Sequence, residues 1–265
     1  MDRQTQPEQS DHGASGNTSK DRISAAGQYN EAVAIFGAPG CGKSYFMEHF
    51  LVTRVPHAFI IAYDPTHSYR HNPQLIHRYR SPTDLLGRGL KQNPKGIHCL
   101  DYAHPSEVLQ TAISLCNALK AQKMDTPVIL AIDEATGFDS MMSPYRIDPD
   151  FQKAYLWRRH YRLGFVFGSQ RPQAIHQTLY DSCTDMVLFR LTNRQAHKRL
   201  LEFGCPEQIV NQLGTLPNYQ HLTCKPGQLV PEGTQDLQPD GANPGSEETV
   251  QEVPTSQPDL QERQE

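Results

Sequence analysis

The sequence predicts an α/β domain of three layers, with helices on both faces of a mainly parallel central sheet. Two observations carry this. Apolar runs of strand length recur through the middle of the chain and are continuous rather than alternating, as strands covered on both faces require. Amphipathic helical patterns lie between them, so strand and helix alternate. Strands are expected at residues 32–36, 58–62, 97–100, 128–132, 165–167 and 186–191, with a last short one at 221–224. Helices are expected at 42–52, 106–123, 150–161, 193–203 and 206–213. The second of these starts at Pro105 and lines up Val108, Leu109, Ala112, Ile113, Cys116 and Leu119 on one face. Residues 135–148 read as a loop, and the polar, proline-bearing stretch 65–96 has no assignable period.

The two ends differ from the middle. Only 37% of the chain is apolar, with a mean hydropathy of -0.61, against roughly 45–50% apolar for an ordinary globular chain. Residues 226–265 hold nine acids, one base, six prolines and no aromatic; residues 1–30 hold four acids, three bases and a single aromatic, Tyr29. Such segments bury too little apolar surface to offset their ordering entropy and are expected to be disordered tails. One domain is therefore expected over residues 31–225. It carries 21 bases against 16 acids, although the whole chain has a formal charge of -4. A basic domain behind an acidic tail suits a polyanionic partner. No stretch reaches the ~18 apolar residues of a membrane span, and the opening MDRQTQPEQS lacks the layout of a signal peptide. The six cysteines show neither C-x-x-C nor metal-ligand spacing, which fits buried thiols in a reducing compartment.

Three motifs carry chemistry. Gly37, Ala38, Pro39, Gly40, Cys41, Gly42, Lys43 and Ser44 fit G-x-x-x-x-G-K-[ST], between an apolar strand and an amphipathic helix. Its glycines let the backbone curl so that amide groups point at phosphate oxygens, and the following helix adds its positive end. Lys43 would bridge the β- and γ-phosphates of ATP, and Ser44 would offer its hydroxyl to Mg²⁺. Downstream, PVILAIDE is an apolar strand ending in two carboxylates. Asp133 stands where Mg²⁺ or its water shell must be held, and Glu134 where a base can take a proton from attacking water. A solvated acidic loop is the ordinary alternative, and the preceding P-loop weighs against it. Third, FVFGSQRP ends an apolar strand at Gln170, whose amide can hold the attacking water or sense the γ-phosphate. The fold expected is thus a RecA/ASCE-like P-loop NTPase.

The order GAPGCGKS, ILAIDEA, FVFGSQRP, VLFRLTN over residues 32–203 resembles the FtsK–HerA superfamily of DNA-pumping ATPases. Ser-Gln-Arg-Pro after the sensor strand is the specific part of that match. By this resemblance, the arginine eleven positions before Gln170, Arg159, is the finger that reaches a neighbouring subunit's nucleotide, with Arg158 and Arg162 as rivals. A solvated basic helix end is the plainer reading. The resemblance further implies double-stranded DNA as substrate and a homo-oligomeric ring, for which a hexamer is expected. A nearly bare motor core is similar to viral and phage genome-packaging ATPases, implying capsid or portal-vertex partners and a place in the virion or host cytoplasm. Conjugation, filamentous-phage extrusion and a nucleotide-binding virion component are the alternatives. Asp64, in Tyr-Asp-Pro-Thr-His, is expected either to shape the site's edge or to cap a turn, and the basic-aromatic residues His67–Arg70 and His77–Arg80 either face DNA or form an ordinary surface.

Overall fold

The computed structural model describes residues 31–92, 95–138, 143–226 and 232–236. Its strands are β1 (Ala32–Phe36), β2 (Phe59–Tyr63), β3 (Ile76–Arg78), β4 (Ile97–Cys99), β5 (Val128–Ile132), the two-residue β6 (Arg146–Ile147), β7 (Leu163–Ser169), β8 (Asp185–Leu188), β9 (Gln220–Cys224) and β10 (Glu232–Asp236). Nine of them form one sheet in the order β10-β9-β8-β1-β7-β5-β2-β4-β3. From β8 to β3 every pairing is parallel; β9 and β10 add an antiparallel edge.

The continuous apolar runs are explained by two cores, one on each face of the sheet. Val128, Leu130 and Ile132 of β5 point into one core, together with Ala32, Ala34 and Phe36 of β1. Ile129, Ala131, Val33 and Ile35 point into the other. Alternation of side chains along a strand therefore consumes every residue. The first core is closed by α2 (Pro105–Ala121), through Val108, Leu109, Ala112 and Cys116, and by α3 (Pro149–Leu156). The second is closed by α1 (Lys43–Arg54), through Met47, Phe50 and Leu51. Among the described residues, no helix is long and apolar enough to cross a membrane, and all six cysteines are free thiols.

Three expectations are revised. The helix expected at 150–161 is two: α3 ends at Leu156, and after Trp157 α4 (Arg158–Tyr161) follows. The break aims the buried Arg158 guanidinium back at the carbonyls of Tyr155 (3.1 Å) and Ser182 (2.7 Å) while Trp157 stays exposed. The unassigned stretch contains β3 and a helical run over residues 82–92 with a π-turn at its centre. The acidic segment after residue 225, expected to be a disordered tail, contributes β10 against β9; its other residues from 227 on, and the expected tail 1–30, lie outside the described residues. Later helices are α5 (Gln177–Asp181), α6 (Arg194–Glu202) and α7 (Glu207–Gln212).

Candidate active site

The turn from β1 to α1 lies over the carboxyl ends of β7 and β8. The Gly37 N–H donates to the Ser169 carbonyl (3.3 Å) and the Ala38 N–H to the Arg190 carbonyl (2.8 Å). Gly37 has no room for a side chain, since a Cβ would stand 2.5 Å from Cys41 Sγ and 2.6 Å from Phe189 Cβ. Gly42 takes φ 106, a left-handed conformation that favours glycine. Side chains cap α2 (His104, in a capping box with Glu107), α3 (Asp148) and α6 (Asn193), whereas among the described residues none caps α1. The positive end of α1 is thus left for an anion. Lys43 is buried and donates its ammonium to the Ala38 carbonyl at 3.0 Å, so the cation is held inside the turn. Cys41 is also buried, and burial pushes its thiol pKa up, which makes it a packing residue rather than a nucleophile.

Asp133 follows β5 and is buried. Burial raises its carboxyl pKa, while hydrogen bonds from the Ser68 and Ser44 hydroxyls and the nearby Lys43 charge work the other way. A desolvated carboxylate facing a P-loop serine hydroxyl is a donor set of hard oxygens, and it fits Mg²⁺. Next to it Glu134 takes a left-handed φ of 57, a conformation that costs a non-glycine residue ~1–2 kcal/mol. Its carboxylate accepts from Thr136 Oγ1 at 2.5 Å and from Gln170 Nε2 at 2.7 Å. Two residues that lie 36 positions apart in the chain, both singled out by their motifs, are therefore joined directly at adjacent strand ends.

A polar network backs this site, and most of it was not visible in the sequence. Buried Asp64 accepts from the Ser68 N–H (2.8 Å) and the Tyr69 N–H (3.1 Å), so it caps the turn; the Ser68 hydroxyl, with one proton to give, lies between the Asp64 (2.9 Å) and Asp133 carboxylates, so Asp64 also shapes the site. Asp64, Cys99 and Asp101 hold possible ligand atoms within 4.8 Å of one another, but Arg78 already bridges the two carboxylates as their cation. On the other side of the 64–72 loop, buried Glu48 of α1 accepts from the Arg70, His71 and Asn72 N–H groups and from Asn72 Nδ2. Of the basic-aromatic stretch, Tyr69 is in the core and Arg78 is ion-paired, while Arg70 and Arg80 remain exposed.

Arg159 is not brought to this site. It is exposed on α4, just before β7, whereas Gln170 follows the other end of the same seven-residue strand. At ~3.3 Å per residue the two ends are roughly 20 Å apart. Both rivals are engaged within the chain: Arg158 holds backbone carbonyls and Arg162 pairs with Asp125.

No protein-family model matches this sequence, and neither does any curated protein. Solved structures do match. The genome-packaging NTPase B204 of Sulfolobus turreted icosahedral virus 2, in complex with ATP-gammaS, aligns at a TM-score of 0.64 and 16% identity, over 80% of this chain and 100% of that one. The same protein in complex with AMP aligns at 0.62 and 17%, over 79% and 99%. VirB4 of Thermoanaerobacter pseudethanolicus aligns at 0.51 and 12%, over 77% and 89%. The chain has the P-loop NTPase fold of these proteins.

Proposed function

We propose that this chain is a Mg²⁺-dependent ATPase that drives double-stranded DNA into a viral capsid as a homo-oligomeric ring. The observation that carries the reading is the Glu134–Gln170 contact, beside buried Asp133 and beneath a helix start that no side chain caps. Mg²⁺, when bound, neutralises phosphate charge, and Ser44 and Asp133 are the residues to hold it or its waters. Lys43, freed from the Ala38 carbonyl, binds the β- and γ-phosphates with the amides of residues 38–44. Glu134 takes the proton of the attacking water, and Gln170 orients both that water and the Glu134 carboxylate. Arg159 is exposed at the opposite end of β7 from its own site, which supports a role at the neighbour's, stabilising charge on the transferred phosphoryl group.

DNA as substrate is supported by the excess of bases over acids in residues 31–225 and by the likeness to B204, whose whole length this chain matches. That match, to a genome-packaging NTPase, is fuller and closer than the one to VirB4, which supports packaging. The test is phosphate release with and without DNA at low salt. Duplex should stimulate hydrolysis more than single strands do, and added salt should erase the effect. An assembled ring whose rate is indifferent to DNA would leave a nucleotide-binding virion component as the better description.

A further inference from the structure

The P-loop has a second set of neighbours that phosphate chemistry does not use. Glu134 and Gln170 mark where the γ-phosphate end of a nucleotide must lie, and Lys43 and Ser44 mark the middle. The remaining end, ribose and base, then leaves past the start of α1. Three aromatic rings stand there: Tyr45 in the first turn of α1, His71 from the 64–72 loop, and Tyr219 from the turn before β9. Tyr45 meets the His71 ring edge-on at 4.9 Å and the Tyr219 ring edge-on at 6.2 Å, with an interplanar angle of 88° to the latter.

Tyr219 is the unusual member. Its backbone is left-handed, at φ 66, where a tyrosine is strained. The P-loop itself holds it there, because its N–H donates to the Cys41 carbonyl at 2.9 Å. Its ring lies so close to Gly42 that a Cβ on that glycine would come within 2.8 Å of ring carbon Cδ1. Yet the residue is 42% exposed, so core packing does not account for an aromatic at this position. An exposed ring fixed against the phosphate loop, at right angles to a second ring, makes a corner with one face and one wall.

We propose that this corner receives the base of the bound nucleotide, with a purine ring stacked on Tyr219 and its edge against Tyr45. The proposal rests on the nucleotide-hydrolysis reading and adds what the triphosphate cradle lacks, a means of telling a nucleotide from a bare polyphosphate. Stacking grips through area, so purine triphosphates should bind more tightly than pyrimidine ones.

The test compares ATP, CTP and inorganic tripolyphosphate, each with Mg²⁺, by calorimetric titration of the full chain. Tyr219→Asn removes the ring with a residue that tolerates left-handed backbone, and Tyr219→Phe keeps the ring. Loss of one base–aromatic stack weakens binding about 5- to 150-fold. Tyr219→Asn should therefore lower ATP affinity by that factor and leave tripolyphosphate within about twofold, and Tyr219→Phe should restore ATP binding. Parallel losses for ATP and tripolyphosphate would overturn the proposal, because Tyr219 would then only shape the P-loop through Cys41 and Gly42. Unchanged ATP binding in Tyr219→Asn would overturn it too, placing the base elsewhere. A wild-type protein that binds neither ATP nor tripolyphosphate would overturn the nucleotide reading itself and this proposal with it.

Discussion

Glu48 offers the sharpest test of how the site is held together. Its carboxylate is 1% exposed and accepts four hydrogen bonds: Oε2 from the N–H groups of Arg70 (2.9 Å) and His71 (3.1 Å), Oε1 from the Asn72 N–H (2.6 Å) and Nδ2 (3.0 Å). Glu48→Gln preserves shape but keeps only one accepting oxygen. Its amide NH₂ then faces two backbone donors, and two bonds to a charged acceptor are lost. Such bonds contribute ~1.5–3 kcal/mol each. Because Arg70 and His71 are exposed and can turn to water, the lower end applies, giving about 3 kcal/mol for the pair. For a domain of this size each kcal/mol moves Tm by roughly 2–4 °C. Thermal unfolding followed by circular dichroism should thus show a fall of about 6–12 °C. Glu202→Gln, which disturbs only the surface pairs with Lys198 and Arg199, should cost at most ~1 kcal/mol. A Glu48→Gln protein that melts within about 2 °C of wild type would mean that the loop does not depend on this carboxylate.

Four further outcomes are expected. Lys43→Ala should abolish nucleotide binding, whereas Glu134→Gln should bind ATP normally and fail to hydrolyse it; equal loss of binding in both would remove Glu134 from the role of base. Arg158→Ala should lower thermal stability, since it strips the Tyr155 and Ser182 carbonyls of their donor, while Arg159→Ala should melt like wild type and lose hydrolysis. Activity should partly return when Arg159→Ala is mixed with Lys43→Ala, because some interfaces then pair an intact P-loop with an intact arginine; no return in the mixture would confine hydrolysis to one subunit. Among the described residues, the buried ring of His98 has no hydrogen-bond partner on either nitrogen, and burial beside His77 lowers its pKa to about 4. The unfolded chain takes up that proton near pH 6.5 and the folded one only near 4, so His98 should make stability fall as pH drops through this window. The loss should approach ~3 kcal/mol, and His98→Phe should flatten this part of the pH profile in denaturant titrations.

Much of this architecture could be read from residue patterns because it rests on apolar periodicity. β1 and β5 begin and end where their apolar runs do, since both faces of each strand are buried. The cradle, Asp133, Glu134 and Gln170 could be located because each follows such a strand. The 64–72 loop could not, because Glu48 and Asp64 organise it by gripping backbone N–H groups, an interaction with no sequence period. β10 was hidden for a similar reason: Glu-Gly-Thr-Gln-Asp is polar and joins the sheet through its backbone pairing with β9. The choice between Arg158 and Arg159 was equally closed to the sequence. Neighbouring residues on one helix differ only by a rotation of ~100°, and here that rotation separates a buried structural arginine from an exposed one.

β7 deserves a mechanical description. It is bonded along both edges, to β1 on one side and β5 on the other, and all seven of its residues are buried. A strand clamped in this way neither stretches nor slides by itself, so it behaves as a strut. Helix α4 with Arg159 sits at one end of the strut and Gln170 at the other. In an assembled ring, a nudge delivered to Gln170 by the arrival or departure of a phosphate would emerge at the far end as a displacement of the arginine presented next door. Firing order around the proposed circle would then need no separate messenger, because one rigid rod per subunit would carry the signal from pocket to pocket.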